Sequence, residues 1–329
     1  MAEVLLDALF IELSETKLRR LLKAELGDPL LLNGFRYDPV TRARRRALGP
    51  PLAAHIFSGN VPNPAIISFI LGMLLKSANI GKVSSKNEGF LDVFLESLRS
   101  HDAKLASTNL LLDPEDRQST RQCLERSDLV VAYGTDETIR QIREMVPRQT
   151  PFFGYGYRIS FSLVTAGALR PAAVRDLARK TSLDARITDQ GGCLSPLWVF
   201  AGTTDAFLLT QFAKDLKHEL DRDGKGRWLV ICDEGLSGLS LPKSGRVIRI
   251  KPFKKIKDVF EAIQPFKKWL QCVSLEALKA EREKIADGLS ANGVNRICRA
   301  GRMQFPPLTW HHDGRPNFSD WVKWVDWEE

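Results

Sequence analysis

The sequence predicts an α/β protein in which helices cover both faces of parallel sheets, as in doubly wound folds. Short apolar strands alternate with helical patterns before residue 157, and a second set of such segments begins at Pro171. The chain of 329 residues, with 43% hydrophobic content, can fill one large core or two ordinary ones. We therefore expect a globular protein rather than a disordered or fibrous one.

The first set contains three predicted strands. A strand over 55–58 leads through a Gly-Asn-Val-Pro turn into a helix, with Asn63 as its N-cap and Pro64 at the first helical position. Further strands are predicted over 80–83 and 128–132. His55 is interpreted as a strand residue rather than a catalyst.

The turn after the third strand is a candidate phosphate site. Gly134 and Thr135 separate that strand from an amphipathic helical run. Unpaired N–H groups and the dipole at a helix start suit a pyrophosphate, and an ordinary strand-to-helix turn is an equally good interpretation. The Gly-Tyr-Gly-Tyr-Arg run at 154–158 is not a dinucleotide fingerprint, because a third glycine is missing and a strand over 159–164 follows.

The second set of elements supplies the other predicted helices and strands. Helices are predicted near 171–182 and 203–221, and strands near 228–232, 247–250 and 269–274. The tail from 293 to 327 is rich in Pro and Trp and is predicted to pack back onto the body as an extended segment. The cluster of His311, His312 and Asp313 is predicted to anchor this tail by hydrogen bonds, since a metal site there lacks a third ligand in sequence.

Cys193 is the candidate nucleophile. It follows Gly191 and Gly192, which allow backbone dihedrals closed to other residues, and it precedes Pro196, which ends any local helix. A nucleophilic cysteine needs a pKa lowered by its surroundings, for example by a helix N-terminus. Free cysteines are often simply buried, so these residues alone leave both interpretations open.

Composition and charge narrow the class of protein. The five cysteines show no CxxC pair and no histidine at metal spacing, so we expect reduced thiols, no structural zinc and a cytoplasmic protein. We expect neither a signal peptide nor a membrane span. The net charge of +8 favours anionic ligands. The arginines within 42–46 could meet phosphates or form a solvated surface, and no other pattern supports nucleic-acid binding.

Five short motifs occur in one order along the chain: 59–62 (Gly-Asn-Val-Pro), 81–85 (Gly-Lys-Val-Ser-Ser), 133–135 (Tyr-Gly-Thr), 154–158 and 190–196 (Gln-Gly-Gly-Cys-Leu-Ser-Pro). Together with the tail, this set resembles the acyl-CoA reductase family typified by the fatty-acid reductase of bacterial luminescence (LuxC-type). That family is a branch of the aldehyde dehydrogenase superfamily. The resemblance covers about residues 27–327.

The resemblance implies an aldehyde dehydrogenase-like fold. A Rossmann-like cofactor lobe is expected over 1–157 together with 301–329, and a catalytic lobe over 158–300. Cys193 matches the thiol that attacks an activated carbonyl. Asn60 matches the oxyanion-hole asparagine, which would act with the backbone N–H of Cys193.

The resemblance also implies a nicotinamide cofactor. Lys82 matches the lysine that binds the adenosine ribose, and Ser84 belongs to the same strand-end motif. Ser85 stands where hydrolysing dehydrogenases carry a glutamate that grips the ribose hydroxyls, which favours NADPH over NADH. Gly134 and Thr135 match the turn that meets the cofactor pyrophosphate.

No carboxylate occupies the place of the general base of the hydrolysing members, where this chain has Gly-Tyr-Gly at 154–156. An enzyme that exchanges acyl groups between thiols and then delivers hydride needs no such base. The predicted activity is therefore NADPH-dependent reduction of an acyl-CoA or acyl-carrier thioester to an aldehyde, through an acyl-enzyme on Cys193 and with no metal. We expect a homo-oligomer whose partners include an acyl-activating enzyme or a carrier protein.

Two alternatives remain open at this stage. One is an acyl phosphate reductase resembling the γ-glutamyl phosphate reductases, which share the thiol and lack the base. The other is a non-catalytic protein that binds a nucleotide or nucleic acid through the arginines at 42–46.

Overall fold

The computed structural model describes residues 2–57, 63–84, 89–222, 224, 227–241 and 245–328. The α-helices of these residues are α1 Ala2–Glu12, α2 Glu15–Leu26, α3 Asn63–Leu74, α4 Phe90–His101, α5 Ala103–Ala106, α6 Arg117–Arg126, α7 Asp136–Met145, α8 Val174–Arg186, α9 Ala206–Leu220, α10 Ile256–Ile263 and α11 Lys279–Ala291. The strands are β1 Arg36–Asp38, β2 Ala43–Leu48, β3 Leu52–Ile56, β4 Ala78–Lys82, β5 Asn109–Leu112, β6 Leu129–Tyr133, β7 Phe152–Tyr155, β8 Ile159–Val164, β9 Pro196–Ala201, β10 Leu229–Cys232, β11 Val247–Pro252, β12 Leu270–Glu276, β13 Arg296–Cys298 and β14 Lys323–Trp327.

Contacts between Cα atoms divide the chain into two units, which are described separately. The first unit contains Leu9–Tyr157 and Arg315–Glu329. The second unit contains Met1–Ala8 and Arg158–Gly314. The tail is therefore shared between the units, whereas the sequence-based boundaries placed all of 301–329 with the residues before 158.

Hydrogen bonds explain where the tail divides. In the second unit, the buried Asp184 carboxylate accepts the N–H groups of Gly301 (2.7 Å) and Met303 (2.8 Å). In the first unit, the Glu25 carboxylate of α2 accepts the N–H groups of Asn317 (2.9 Å) and Ser319 (3.0 Å). One carboxylate thus anchors each part of the tail.

The first unit is built on a five-stranded parallel sheet in the order β5-β4-β3-β6-β7. β3, β4 and β6 are the predicted strands, and β3 begins at Leu52 rather than His55. One apolar cluster contains Ile66 and Phe69 of α3, and a second contains Leu124 of α6 and Ile142 of α7. The strand order reverses between β3 and β6, which is the switch point of a doubly wound sheet.

The second unit is built on a six-stranded parallel sheet in the order β10-β11-β9-β8-β12-β13. Its central strand β9 is absent from the sequence-based prediction, which says of Pro196 only that it ends any local helix. In the structure Pro196 begins β9 and lies opposite Ser160 of β8. Proline is tolerated as the first residue of a strand. The following run, which is largely buried, lacks the alternation that marks a half-exposed strand.

A small antiparallel sheet in the first unit, in the order β1-β2-β14, contains three of the four arginines within 42–46, and Arg42 precedes β2. Arg45 pairs with Asp38 (2.9 Å) and Asp326 (3.0 Å). The guanidinium of Arg44 lies 5.3 Å from the ring centroid of Trp327. Arg44 and Arg45 are therefore engaged in contacts within the protein, which weakens the alternative that this cluster binds the phosphates of a nucleic acid.

Candidate functional site

The loop that carries Cys193 joins α8 to β9 and is held by a buried glutamine. The side-chain Nε2 of Gln190 donates to the carbonyls of Pro196 (3.0 Å) and Val247 (2.8 Å). Its Oε1 accepts the N–H of Val247 (2.9 Å). The loop is therefore tied to two neighbouring strands, β9 and β11.

The glycines before Cys193 play a different part from the predicted one. The left-handed backbone falls on Asp189 (φ 52°) and Gln190 (φ 58°), and neither Gly191 nor Gly192 has a positive φ. A Cβ added at Gly192 would lie 3.2 Å from Oγ1 of Thr188. Gly192 is thus placed where a side chain would be crowded, and the predicted use of glycine dihedrals is wrong.

Cys193 is an exposed residue that directly precedes a buried segment. The residue is solvent-accessible, whereas Leu194 and Ser195 beside it are buried. The hydroxyl of Ser160 donates to the Cys193 carbonyl (2.7 Å) and accepts the N–H of Cys272 (3.2 Å). The backbone of Cys193 is therefore fixed by β8 and β12, and the residue itself is solvent-accessible.

Three polar side chains of the second unit act on the ionisation of this thiol, and we call them the thiol cluster: Arg158, Gln271 and Asp313. Nε2 of Gln271 donates to Oδ1 of Asp313 (2.9 Å). Nη2 of Arg158 lies 2.5 Å from Oδ2 of Asp313, as an ion pair in which the carboxylate side chain is 3% exposed. The tail is thus anchored through Asp313, as the sequence predicts.

The thiol cluster acts on the ionisation of Cys193. Desolvation raises the pKa of the thiol to about 12, and the Asp313 carboxylate raises it as well. The guanidinium of Arg158 and a hydrogen bond from the Gln271 amide lower this pKa. Desolvation is the largest of these effects, and the two charged neighbours act in opposite directions on top of it. The resting thiol therefore lacks the lowered pKa that a nucleophilic cysteine requires, and the element that follows the residue is β9, not a helix.

Sequence reasoning missed the thiol cluster as a functional group. In the sequence, Arg158 ends a glycine-tyrosine run, Asp313 is a predicted tail anchor, and no pattern marks Gln271. The available signal was the polar residue that immediately precedes the strand-like run over 159–164. Arg158 immediately precedes the central strand β8, so it lies at the same end of the sheet as the Cys193 loop, which precedes the neighbouring strand β9.

In the first unit, the predicted cofactor residues follow the carboxyl ends of neighbouring strands. Ile56 of β3 pairs with Lys82 of β4 and with Ala132 of β6. Lys82 therefore shares one sheet edge with Ser84 and with the turn of Gly134 and Thr135. This edge includes the switch point, where open α/β sheets bind nucleotides. Asn60 and Ser85 lie outside the described residues.

The turn after β6 has features that favour binding of a dinucleotide and one charge, on Asp136, that disfavours it. A Cβ added at Gly134 would lie 3.1 Å from Cβ of Thr138, so the backbone passes close over the start of α7. The Thr135 hydroxyl caps α7 by accepting the N–H of Thr138 (3.1 Å). Asp136 in the first turn is an unfavourable charge for a phosphate, although its carboxylate accepts the N–H of Tyr157 (2.9 Å). With the Lys82 cation and two hydroxyls at the same edge, the donor set fits an anionic nucleotide.

The described ranges hold no group of three or more His, Cys, Asp and Glu side chains placed to bind a metal ion. Among the described helices, none is both long enough and apolar enough to cross a bilayer. All five cysteines carry free thiols.

The architecture is that of the aldehyde dehydrogenases. An acetylating aldehyde dehydrogenase from Geobacillus thermoglucosidasius superposes with a TM-score of 0.69 at 12% identity, over 90% of this chain and 79% of that one. An indole-3-acetaldehyde dehydrogenase mutant from P. syringae, in complex with NAD⁺ and IAA, superposes with a TM-score of 0.67 at 10% identity, over 89% of this chain and 71% of that one. The predicted fold class is confirmed.

Sequence comparison assigns the family within that fold. The family model described as acyl-CoA reductase (LuxC) matches residues 1–226 and 222–324. The chain belongs to this family of enzymes. The long-chain acyl-protein thioester reductase of Aliivibrio fischeri is 22% identical over 353 aligned residues, which cover 96% of this chain and 71% of that protein. The resemblance stated from five short motifs is therefore confirmed.

Proposed function

We propose that this enzyme reduces an acyl thioester to an aldehyde with NADPH, through an acyl-enzyme on Cys193. The observation that supports this most is the solvent-accessible residue Cys193, whose carbonyl is held by Ser160 and whose thiol is influenced by Arg158 and Gln271. Family membership and the name of the Aliivibrio fischeri relative support the same chemistry.

Acyl transfer is the step assigned to the chain's own residues. The Cys193 thiol gives up its proton and bonds to the acyl carbon, the bond from that carbon to the carrier sulfur breaks, and the carrier thiolate takes up a proton. Asn60 and the N–H of Cys193 are proposed to hold the oxyanion, and one such donor is worth about 10²- to 10³-fold in rate. NADPH, when bound, supplies the hydride, so that one thioester, one NADPH and one proton give one aldehyde, one carrier thiol and one NADP⁺. Aldehyde release breaks the bond from the Cys193 sulfur to the acyl carbon and returns a proton to the thiol.

Hydrolysis of the acyl-enzyme is disfavoured because the Asp313 carboxylate is buried and already bonded to other side chains. A base that activates water must reach that water. The Asp313 side chain is 3% exposed and is held by Arg158 and Gln271. This arrangement supports reduction rather than release of an acid.

The first unit is proposed as the cofactor-binding lobe and the second as the catalytic lobe. Lys82, Ser84, Ser85, Gly134 and Thr135 would hold NADPH. The serine at 85 in place of a glutamate, together with the nearby Lys82, is the reason for preferring the 2′-phosphorylated cofactor.

The test is turnover together with a trapped intermediate. Purified enzyme is mixed with acyl-CoA and acyl-carrier thioesters of several chain lengths, and NADPH absorbance and aldehyde formation are followed. Without NADPH, mass spectrometry should find the acyl group on Cys193. Cys193→Ser should lower the rate by at least about 10³-fold, whereas Cys232→Ser, which removes another exposed thiol, should leave it unchanged.

Two results would count against the proposal. One is a folded enzyme that does not oxidise NADPH with any of the thioesters tested and that carries no acyl group on Cys193. The other is turnover of an acyl phosphate in preference to every thioester, which would support the acyl phosphate alternative.

The proposal includes the enzyme's setting. We propose a cytoplasmic homo-oligomer that receives its acyl group from coenzyme A, from a carrier protein or from an acyl-activating enzyme. Light scattering coupled to size exclusion measures the oligomeric state, and a comparison of kcat/KM between acyl-CoA and acyl-carrier substrates identifies the donor.

A further inference from the structure

The thiol cluster is assembled from three separate segments of the second unit. Arg158 immediately precedes β8, Gln271 is the second residue of β12, and Asp313 lies in the tail. The Asp313 carboxylate joins the other two, through Nε2 of Gln271 at 2.9 Å and Nη2 of Arg158 at 2.5 Å. Cys193 therefore has a positive and a negative group as neighbours, and these two groups are paired with each other.

The backbone that holds Cys193 also holds two members of the thiol cluster. Ser160, which donates to the Cys193 carbonyl, lies two residues after Arg158. Cys272, whose N–H binds the Ser160 hydroxyl, directly follows Gln271. The closeness of the cluster to the thiol is thus set by the pairing of β8 with β12, not by flexible side chains alone.

Asp313 is held in an unfavourable backbone conformation. Its φ of 55° and ψ of 27° place a residue with a side chain in the left-handed region. Such positions are unfavourable for most residues with a side chain and persist where surrounding contacts impose them, often at functional sites. Here the contacts to Arg158 and Gln271 are the ones that a change of this backbone would break.

The charges around the sulfur act in opposite directions. The Asp313 carboxylate disfavours the thiolate, and the Arg158 guanidinium and the Gln271 amide favour it. His312 precedes Asp313, and burial lowers its pKa, which keeps the ring neutral at physiological pH. Asp313 and Arg158 are therefore the charged groups that decide the balance.

We propose that Asp313 is a positioning residue that restrains the Cys193 nucleophile, that Arg158 opposes this restraint, and that the ion pair between them sets the pH at which the thiol reacts. The inference rests on the proposed role of Cys193. A thiol that stays neutral at rest resists oxidation and adventitious alkylation, since the thiolate is the reactive form. Its proton is then given up during acyl transfer.

The experiment measures the thiol directly, without substrate or cofactor. The full-length enzyme is alkylated with iodoacetamide across a range of pH, and the modification of the Cys193 peptide is timed by mass spectrometry. Asp313→Asn should lower the midpoint of the rate profile by about one pH unit, which is about tenfold faster alkylation at a fixed pH below the midpoint. Arg158→Gln should move the midpoint the other way, and Arg158→Lys should restore part of it.

Controls come from the same digest. Cys232 is also exposed and lies in the same unit, next to Asp233 rather than Asp313, so its profile should not move. Asp313→Glu keeps the charge and should retain the wild-type profile, which supplies a second variant if the asparagine variant folds poorly.

Movement in opposite directions is the required result. The proposal is wrong if Asp313→Asn and Arg158→Gln leave the Cys193 profile unchanged. It is also wrong if both variants shift the midpoint in the same direction, which is the effect that a general loosening of the fold would have. Opposite shifts in an enzyme that reduces no thioester would support the charge balance and reject the proposed function. Thioester reduction that depends on Cys193, with no shift in either variant, would support the proposed function and reject the charge balance.

Discussion

The buried histidine of β3 predicts a specific loss of stability in mild acid. His55 is 0% exposed, with Nδ1 2.8 Å from Oγ of Ser68 and Nε2 3.0 Å from Oδ1 of Asn79. Nδ2 of Asn79 donates to Oδ1 of Asn109 (2.9 Å), so the Asn79 oxygen is the acceptor that faces the ring. His55 Nε2 must then donate to it, and Nδ1 accepts from the Ser68 hydroxyl. The pocket is built for the neutral ring.

The magnitude follows from the difference in pKa between the folded and unfolded states. Burial lowers the pKa of His55 from 6.5 to about 4, against a smaller opposing effect of the hydrogen bond to Asn79. Between these values the unfolded chain binds a proton that the folded chain does not, so stability is full above 6.5 and is lost as pH falls. Linkage gives a loss of about 2.5 kcal/mol between about pH 7.5 and about pH 4.5.

The assay compares urea unfolding of the wild type and His55→Gln at these two pH values. Asp184 titrates in the same window with the opposite sign, because burial raises its pKa to about 7 and the folded state then binds more protons. The difference between the two proteins removes that contribution. Exposed His101, changed to Gln, is the matched control and should behave as the wild type. A stability difference between wild type and His55→Gln that is the same at both pH values would refute the reasoning.

Two further predictions concern the tail and the cofactor edge. Glu25→Ala should destabilise the first unit by about 2–3 kcal/mol, because the Glu25 carboxylate accepts hydrogen bonds from Asn317, Phe318 and Ser319. Urea unfolding measures the loss of stability. Glu15 is exposed on the same helix, and Glu15→Ala is the control that should leave stability unchanged. Ser85→Glu should reduce the preference for NADPH over NADH by about 10- to 100-fold in the ratio of kcat/KM, since a carboxylate repels the 2′-phosphate. An unchanged ratio would remove residue 85 from the cofactor site.

Parallel strands that are buried on both faces leave a clear sequence signal, which is why most elements of both sheets could be predicted. β3, β4, β6 and β8 appear as short apolar runs followed by turns or helices. β9 is missing from the prediction because proline is read as a break in the chain, although it is also suited to a strand start. β13, with three residues, is too short to show a period.

The candidate site divides in the same way. Cys193 and the turn of Gly134 and Thr135 stand out because small residues next to a thiol or a helix start are local patterns. The thiol cluster could not be found in this way, because Arg158, Gln271 and Asp313 are far apart in the chain and meet only through the pairing of β8 with β12 and the return of the tail.

The amino-acid sequence by itself determined the α/β class, the family and the identity of the candidate nucleophile, since each depends on the order of residues along the chain. Tertiary structure alone decided the charge environment of that nucleophile, and with it the raised rather than lowered pKa of Cys193. The physical reason is that desolvation and Coulomb interaction depend on distance in space, and the carboxylate and guanidinium that act on the sulfur are brought there by strand pairing.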